Sequence, residues 1–424
     1  MTDSKSLYAR IWDSVANRRL TSWTLAAALG FSLAVLAWGP GRSAMLAAIV
    51  PLVVALAATR TQAFLIGAFY VLGVGRERPE LISAWYDSNI YVGLGFVALV
   101  ASLGGLGWAL CWSSSEKPWR KALACVVGWV AVLVPPIGAL APGNPIVGWG
   151  YITPGWAWAG VAMSVIAPAA VMWEVTRRNE KRRHSAIWVS CLGGVLVAAS
   201  FTYVPVESRF VADIVGVNTN WGVSRDPYEI INRVERIGRT TKALADQNLA
   251  SAIVFPESIL QTYEPALFPV LNIEVLSDAA KAGQTIVLGV DLPTKEGNFQ
   301  NAALAFYPDG KTATAVARQP VPVALWKPWE TSGSFLTDWT ANNMLTLRDG
   351  IRARVIFCYE EYFPILSLIN EAKDEHQLVI VMTNLWAAKH QLSFDIQGRH
   401  SEGMARLFAR KLVRAENRSK DMPH

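Results

Sequence analysis

Charge is what this sequence has little of. Of its 424 residues only 17% are charged while 52% are hydrophobic, whereas soluble domains carry about a quarter charged residues. A single water-soluble globule is therefore excluded for the chain as a whole. Cysteine is also scarce, four in all, which is no disulfide framework. Cys111, Cys125 and Cys191 sit inside apolar runs, where a thiol behaves as a small hydrophobe. The five histidines, His184, His376, His390, His400 and His424, show no metal-ligand spacing with one another or with cysteine. A glycine-rich phosphate loop is missing as well. No metal and no cofactor are expected, and His390 and His400 are left open as site-lining or ordinary surface residues.

The deficit of charge is uneven. Long apolar runs rich in Trp, Ala, Gly and Val fill the first half, and most acidic residues follow Glu207. A membrane-crossing helix needs about 20 mostly apolar residues. Seven runs are candidates: Ser22–Trp38, Ala44–Ala58, Thr61–Val74, Ile90–Trp112, Ala122–Ala141, Ala157–Trp173 and Ala186–Val204. The third is short. The retained first run ends in Trp38-Gly39-Pro40-Gly41 and another follows at once, which argues against a cleaved signal peptide.

The formal net charge of +6 raises nucleic acid as a partner. The basic residues, however, gather at Arg18-Arg19, Lys117–Lys121 and Arg177–Arg183, in short loops between apolar runs. Positive residues in such loops mark the cytoplasmic side. With the N-terminus inside, only Arg42, Arg76 and Arg78 fall in outer loops. Seven crossings then place the chain after Val204 outside the cytoplasm, and direct nucleic-acid binding is not expected. Residues 1–205 are read as an N-terminal multi-span α-helical membrane domain of about seven helices, and residues 206–424 as a second domain. Trp112, Trp119, Trp149, Trp156 and Trp158 near span ends read as interfacial anchors, or alternatively as a wall for lipid.

From Arg209 onward short β-branched runs alternate with amphipathic helices, the pattern of a layered α/β domain. Strands are expected over Phe210–Asn218, Ser251–Phe255, Gln284–Val290, Asn301–Tyr307, Ala353–Phe357 and Leu378–Thr383, with helices over Pro227–Gln247 and Val275–Ala282. Two strand ends carry chemistry. Ser251–Phe255 runs into Pro256-Glu257-Ser258, and Ala353–Phe357 delivers Cys358-Tyr359-Glu360-Glu361. Strand ends are where α/β sheets usually carry their sites. A carboxylate beside a thiol can accept its proton and so generate the nucleophilic thiolate.

In this order, behind a multi-span region, these motifs make the chain resemble the apolipoprotein N-acyltransferases, membrane members of the nitrilase (carbon–nitrogen hydrolase) superfamily. It is similar in outline to the plasmid conjugal-transfer membrane proteins. The resemblance implies a C-terminal α/β nitrilase-type sandwich (α-β-β-α), with Glu257 as general base and Cys358 as nucleophile. Glu360 would tune or position the nucleophile, or serve as a structural carboxylate. Met382-Thr383-Asn384-Leu385-Trp386 would line the site, with Asn384 and Trp386 among the substrate contacts. The implied activity is acyl transfer or amide hydrolysis at the outer leaflet of a bacterial inner membrane. Its substrate would be a phospholipid or another acyl or amide donor, and its partners conjugation-machinery proteins. The alternative is a degenerate scaffold assisting conjugation.

Two departures weigh on activity. The family's oxyanion-holding lysine falls here on Ala317 or Arg318, within Ala317-Arg318-Gln319-Pro320-Val321-Pro322, while Lys327 lies downstream in Trp326-Lys327-Pro328-Trp329. Arg318 and Lys327 are equal candidates for the cation, the first otherwise a salt-bridge residue and the second a solvated loop residue. The sequence also ends soon after Asn417, so the sandwich is expected to lack its last strands or to lean on a partner.

Overall fold

The computed structural model describes residues 7–39, 41–177, 193–194, 213–224, 226, 228–247 and 250–422. The chain forms two compact units. One comprises Met1–Pro79 with Tyr91–Tyr203, the other Glu80–Ile90 with Val204–His424.

The first unit is helical: α1 (Leu7–Ala37), α2 (Val50–Ala55), α3 (Arg60–Val74), α4 (Arg78–Trp85, which runs on into the second unit), α5 (Ile90–Cys111), α6 (Pro118–Leu133), α7 (Ile137–Leu140), α8 (Pro145–Ile152) and α9 (Ala157–Thr176). Among the described residues three stretches are long and apolar enough to cross a membrane: Arg18–Ala37, Ile90–Cys111 and Ala157–Thr176. They match the first, fourth and sixth expected runs. The second run is not one helix. It begins as 3-10 turns over Gly41–Ile49 and becomes α-helical only at Val50, with Pro51 in the first turn, where a missing N–H costs least. The fifth run breaks because Val134 precedes Pro135-Pro136 and is held extended, ending α6 at Leu133. The third run is the 15-residue α3, started by a Thr59–Gln62 capping box. The seventh, Ala186–Val204, lies outside the described residues.

Close approach of α1 and α3 depends on small residues. A Cβ on Gly30 would lie 2.2 Å from the Ile66 carbonyl oxygen, so a larger side chain would force the helices apart. The buried polar groups near this contact are paired, Trp38 Nε1 donating to Tyr70 Oη (3.0 Å) and Tyr70 Oη to the Gly143 carbonyl (2.9 Å).

The second unit holds two sheets. In the first, β1 (Ile214–Gly216), β2 (Ala252–Val254) and β3 (Thr285–Pro293) are parallel, and β4 (Phe299–Phe306) and β5 (Thr312–Val316) follow antiparallel. In the other, β6 (Met344–Thr346) runs antiparallel to β7 (Arg352–Phe357), and β8 (Leu378–Leu385) and β9 (Lys411–Arg418) are parallel to β7. Side-chain alternation sorts the layers. Val287 of β3, Ala303 and Ala305 of β4, Val355 and Phe357 of β7, and Ile380 and Met382 of β8 meet in the core between the sheets. Ile286, Leu288 and Val290 face outward onto α10 (Tyr228–Asp246) and the helical stretch 268–281. Ile356, Val379 and Val381 cluster on the outer face of the second sheet. The helices α11 (Pro364–Lys373) and α12 (Gln391–Leu407) follow β7 and β8 in the chain. The result is the expected α-β-β-α arrangement. Its central strands are buried on both faces, which is why they read as unbroken apolar runs.

The part of the expected strand Phe210–Asn218 before Asp213 lies outside the described residues. Strands β5 and β6 were not among the sequence expectations. Thr312–Val316 and Met344–Thr346 are short and polar-flanked, and only pairing with β4 and β7 makes strands of them.

Candidate active site

Glu257 and Cys358 come from different sheets and meet at one end of the sandwich. Glu257 follows β2 on an irregular turn in which Ser258 has φ 46°. The turn lies so close to β3 that a Cβ on Gly289 would sit 2.2 Å from the Pro256 carbonyl oxygen and 2.5 Å from Glu257 Cα. Only glycine allows that approach. Cys358 ends β7 with φ 32°, a left-handed conformation costing a non-glycine residue about 1–3 kcal/mol.

Identified contacts hold that strained turn. Both Glu360 oxygens accept backbone N–H groups: Oε1 from Arg318 (2.5 Å) and Gln319 (2.9 Å), Oε2 from Phe357 (3.0 Å). Glu360 thus ties the end of β7 to the segment after β5. Burial pushes its carboxyl up to about 7, with those three donors pulling the other way. On the far side, Gln397 Nε2 of α12 donates to the Cys358 carbonyl (3.0 Å) and to Glu361 Oε1 (2.8 Å), and lies 3.8 Å from Cys358 Sγ. Glu361 is in turn bound by Ser401 Oγ (2.5 Å) and ion-paired with Arg414, whose guanidinium also reaches Glu416 at 2.9 Å.

The thiol and the Glu257 carboxyl lie close enough that each acts on the other's ionisation. Glu257 Oε1 also accepts from Asn301 Nδ2 at 2.5 Å. Burial, reinforced by the Asp291 charge, raises Glu257 to about 8, the thiol and Asn301 opposing. Asp291 accepts from Ser258 Oγ (2.7 Å), and burial lifts its carboxyl to about 6. Burial pushes Cys358 well up, and the negative charge of Glu257 adds to it, while the Asn384 backbone N–H and Gln397 favour the thiolate. No cation figures among these strongest influences. The pair is therefore assembled yet poised toward its neutral form.

The two cation candidates lie elsewhere. Arg318 is buried, with Nε donating to the Ala341 carbonyl (3.0 Å), Nη1 to Asn370 Oδ1 (2.5 Å) and Nη2 without a hydrogen-bond partner among the described residues, and it does not figure among the strongest influences on the thiol. Lys327 Nζ pairs with Glu330 at 3.2 Å on a partly solvated loop. The slot beside Asn301 is filled by Ala317, whose N–H donates to the Asn301 carbonyl at 2.8 Å. Asn384 offers the thiol its backbone, while its side-chain Oδ1 accepts from Asn417 Nδ2 (2.9 Å). Trp386 is half-buried, its ring 5.6 Å from that of Trp85.

Three contributors were missed from the sequence. Asn301 reads as one more strand residue until β4 is registered against β3. Gln397 belongs to a buried polar row, Ser393, Gln397 and Ser401, spaced four apart on α12, and that spacing was the available signal. Residues 80–90, flanked in sequence by apolar helices, supply Trp85 to Trp386, Glu80 to His390 (3.3 Å), and Leu81 to the cluster of Cys358, Leu385, Ala388, Phe394 and Met422. Among the described residues no cluster of His, Cys, Asp and Glu could hold a metal.

No protein-family model matches the chain. Among solved structures it is similar to an amidase of the nitrilase superfamily from Nesterenkonia, at 16% identity and a TM-score of 0.37 over 49% of this chain and 78% of that one. A form of that amidase with acrylamide added at its active-site cysteine gives 18% and 0.36 over 49% and 79%. Two curated proteins are similar over most of their lengths. A conjugal transfer protein TraB of Agrobacterium fabrum is 24% identical over 93% of each chain. At 27% identity, across 87% of this chain and 90% of the other, the chain is similar to a probable conjugal transfer protein TraB of Sinorhizobium fredii.

Proposed function

We propose that this protein is a membrane-bound, cysteine-dependent acyltransferase or amidase serving conjugal transfer, with Glu257 as base and Cys358 as nucleophile. The observation that carries the reading is the burial of the Cys358 thiol and the Glu257 carboxyl against each other, each acting on the other's ionisation, at the end of the sandwich. Glu257 takes the thiol proton, and sulfur attacks the carbonyl carbon of an ester or amide. The tetrahedral intermediate collapses, the C–O or C–N bond breaks, and the alcohol or amine leaves with the proton. Water or an acceptor amine then resolves the thioester. Gln397 holds the Cys358 carbonyl, while Asn384 and Trp386 line the approach. The donor is a phospholipid or another acyl or amide compound. The similarity to the two TraB proteins supports the link to conjugation. The charge asymmetry of the loops supports an inner-membrane protein with residues 206–424 in the periplasm, and a periplasm-active reporter fused after His424 tests that orientation.

The catalytic reading is tested by incubating the purified full chain with phospholipid and measuring the mass of Cys358. An acyl adduct that disappears in Glu257→Gln supports it. No adduct, with a working N-acyltransferase as control, sinks it.

A second reading is a catalytically degenerate scaffold that assists conjugation. It is favoured by one observation: Arg318 is bonded to Asn370 and Lys327 to Glu330, and neither figures among the strongest influences on the thiol. Wild-type conjugation frequency in both Cys358→Ser and Glu257→Gln would establish it.

A further inference from the structure

Acylating Cys358 creates negative charge on the substrate's carbonyl oxygen, and preorganised positive charge there is worth several kcal/mol of barrier. The acids at the site cannot supply it. Asp291 and Asn301 are register partners on β3 and β4. By alternation they share the face of Ala303 and Ala305, between the sheets. Ala317, beside Asn301, faces the same interior and adds only a methyl group. Glu257 closes the row through Asn301. Arg414, whose partner Glu361 shares Gln397 with Cys358, is already bound to Glu361 and Glu416.

A second observation is independent of the acids. Asn301 is 2% exposed, and with Nδ2 spent on Glu257, its Oδ1 has no hydrogen-bond partner among the described residues. A buried amide acceptor left open normally costs about 1–3 kcal/mol. It stands at the catalytic carboxyl, so what fills it must donate. An open amide oxygen with two carboxyls as its neighbours complements a compact group with several N–H donors and no acceptor, as a primary ammonium is.

We propose that the substrate supplies the missing cation: the acyl donor carries a primary ammonium close to its scissile carbonyl, as an aminoacyl ester or amide does, seated on Asn301 Oδ1 and the Glu257 and Asp291 carboxyls. The inference rests on the catalytic reading above. Once seated, the ammonium favours the ionised form of Glu257 and so its role as base. The thiol proton passes to Glu257, the S–C bond forms, and the adjacent ammonium faces the oxyanion. Collapse breaks the C–O or C–N bond, the alcohol or amine departs with the proton held by Glu257, and an aminoacyl thioester is left.

The test uses the full chain in detergent and two probes, glycine p-nitrophenyl ester and acetic acid p-nitrophenyl ester. Labelling of Cys358 is followed by mass and by p-nitrophenolate release, with each rate divided by that of free cysteine at the same pH. The glycyl ester is expected to be favoured by about tenfold or more, below the 10²–10³-fold that one oxyanion donor commands. Asn301→Ala should shrink that preference. Ala317→Lys, which tethers an ammonium in the row, should abolish it by accelerating the acetyl ester, with thermal unfolding reporting whether each variant is folded. Equal normalised rates in the wild type would overturn the inference and leave the catalytic reading standing. A preference unchanged in a folded Asn301→Ala would also overturn it. If neither ester labels Cys358, both fall together.

Discussion

Two groups of acids stand around one cysteine, and they are treated oppositely. Glu360 and Glu361 follow Cys358 directly in the chain, and each is supplied with donors: three backbone N–H groups for the first, and Arg414, Ser401 and Gln397 for the second. Glu257 and Asp291, across the gap on the other sheet, have an amide, a hydroxyl and the thiol. Satisfied carboxyls fix geometry. An under-supplied carboxyl keeps a proton it can exchange near neutral pH, which suits a base. The contrast separates what shapes this site from what the proposed chemistry would use.

The largest effect is expected on the satisfied side. Arg414→Ala leaves Glu361 buried without its cation, and removing one partner of such a pair costs about 3–5 kcal/mol. Thermal unfolding of the full chain should show the loss, and an unchanged midpoint would mean the pair is not structural. Arg318→Ala should likewise lower stability through its lost bonds to Asn370 and Ala341, while the acylation rate per folded molecule stays put.

On the reactive side the order reverses. Glu257→Gln should leave the unfolding midpoint at neutral pH no lower than wild type, yet reduce acyl-adduct formation by about 10²-fold or more, the usual share of a general base. Cys358→Ser should form no thioester. A large drop in stability for Glu257→Gln would erase the distinction between the two groups.

A pH series sharpens it. The Glu257 charge raises the thiol, so Glu257→Gln should shift the onset of iodoacetamide labelling at Cys358 to lower pH even as catalysis is lost. Stability carries the matching sign. With the folded carboxyl raised from 4.5 to about 8, its contribution is complete below about 4.5 and is lost as pH rises through about 8. The wild type should therefore lose stability over that window relative to Glu257→Gln, and parallel curves would show that Glu257 is not desolvated. The smallest effect belongs to Lys327→Ala. Its pair with Glu330 is partly solvated and is worth well under about 1 kcal/mol, so stability and acylation should both hold. A loss of rate there would return Lys327 to the site.

Much of this was legible beforehand. The runs before Glu257 and Cys358 are apolar on both strand faces, so their strands and ends stood out without any register. What failed to show depends on long-range placement. Whether Arg318 points toward the thiol or toward Asn370 is decided by which face of the segment after β5 it occupies. Asn301 became a site residue only through its pairing with Asp291. The breaks in the second and fifth apolar runs were local, at Pro51 and Pro135-Pro136, but hydropathy outweighed them in the reading.

Residues 80–90 bear on the order in which the molecule can be finished. They leave the ribosome long before Cys358, Trp386 and His390, the partners they pack beside. Contacts so distant along the chain are closed late, because loop entropy must be met before they form. The surroundings of Cys358 thus cannot mature domain by domain during synthesis. An early segment has to wait for the residues around β8 and α12 to arrive.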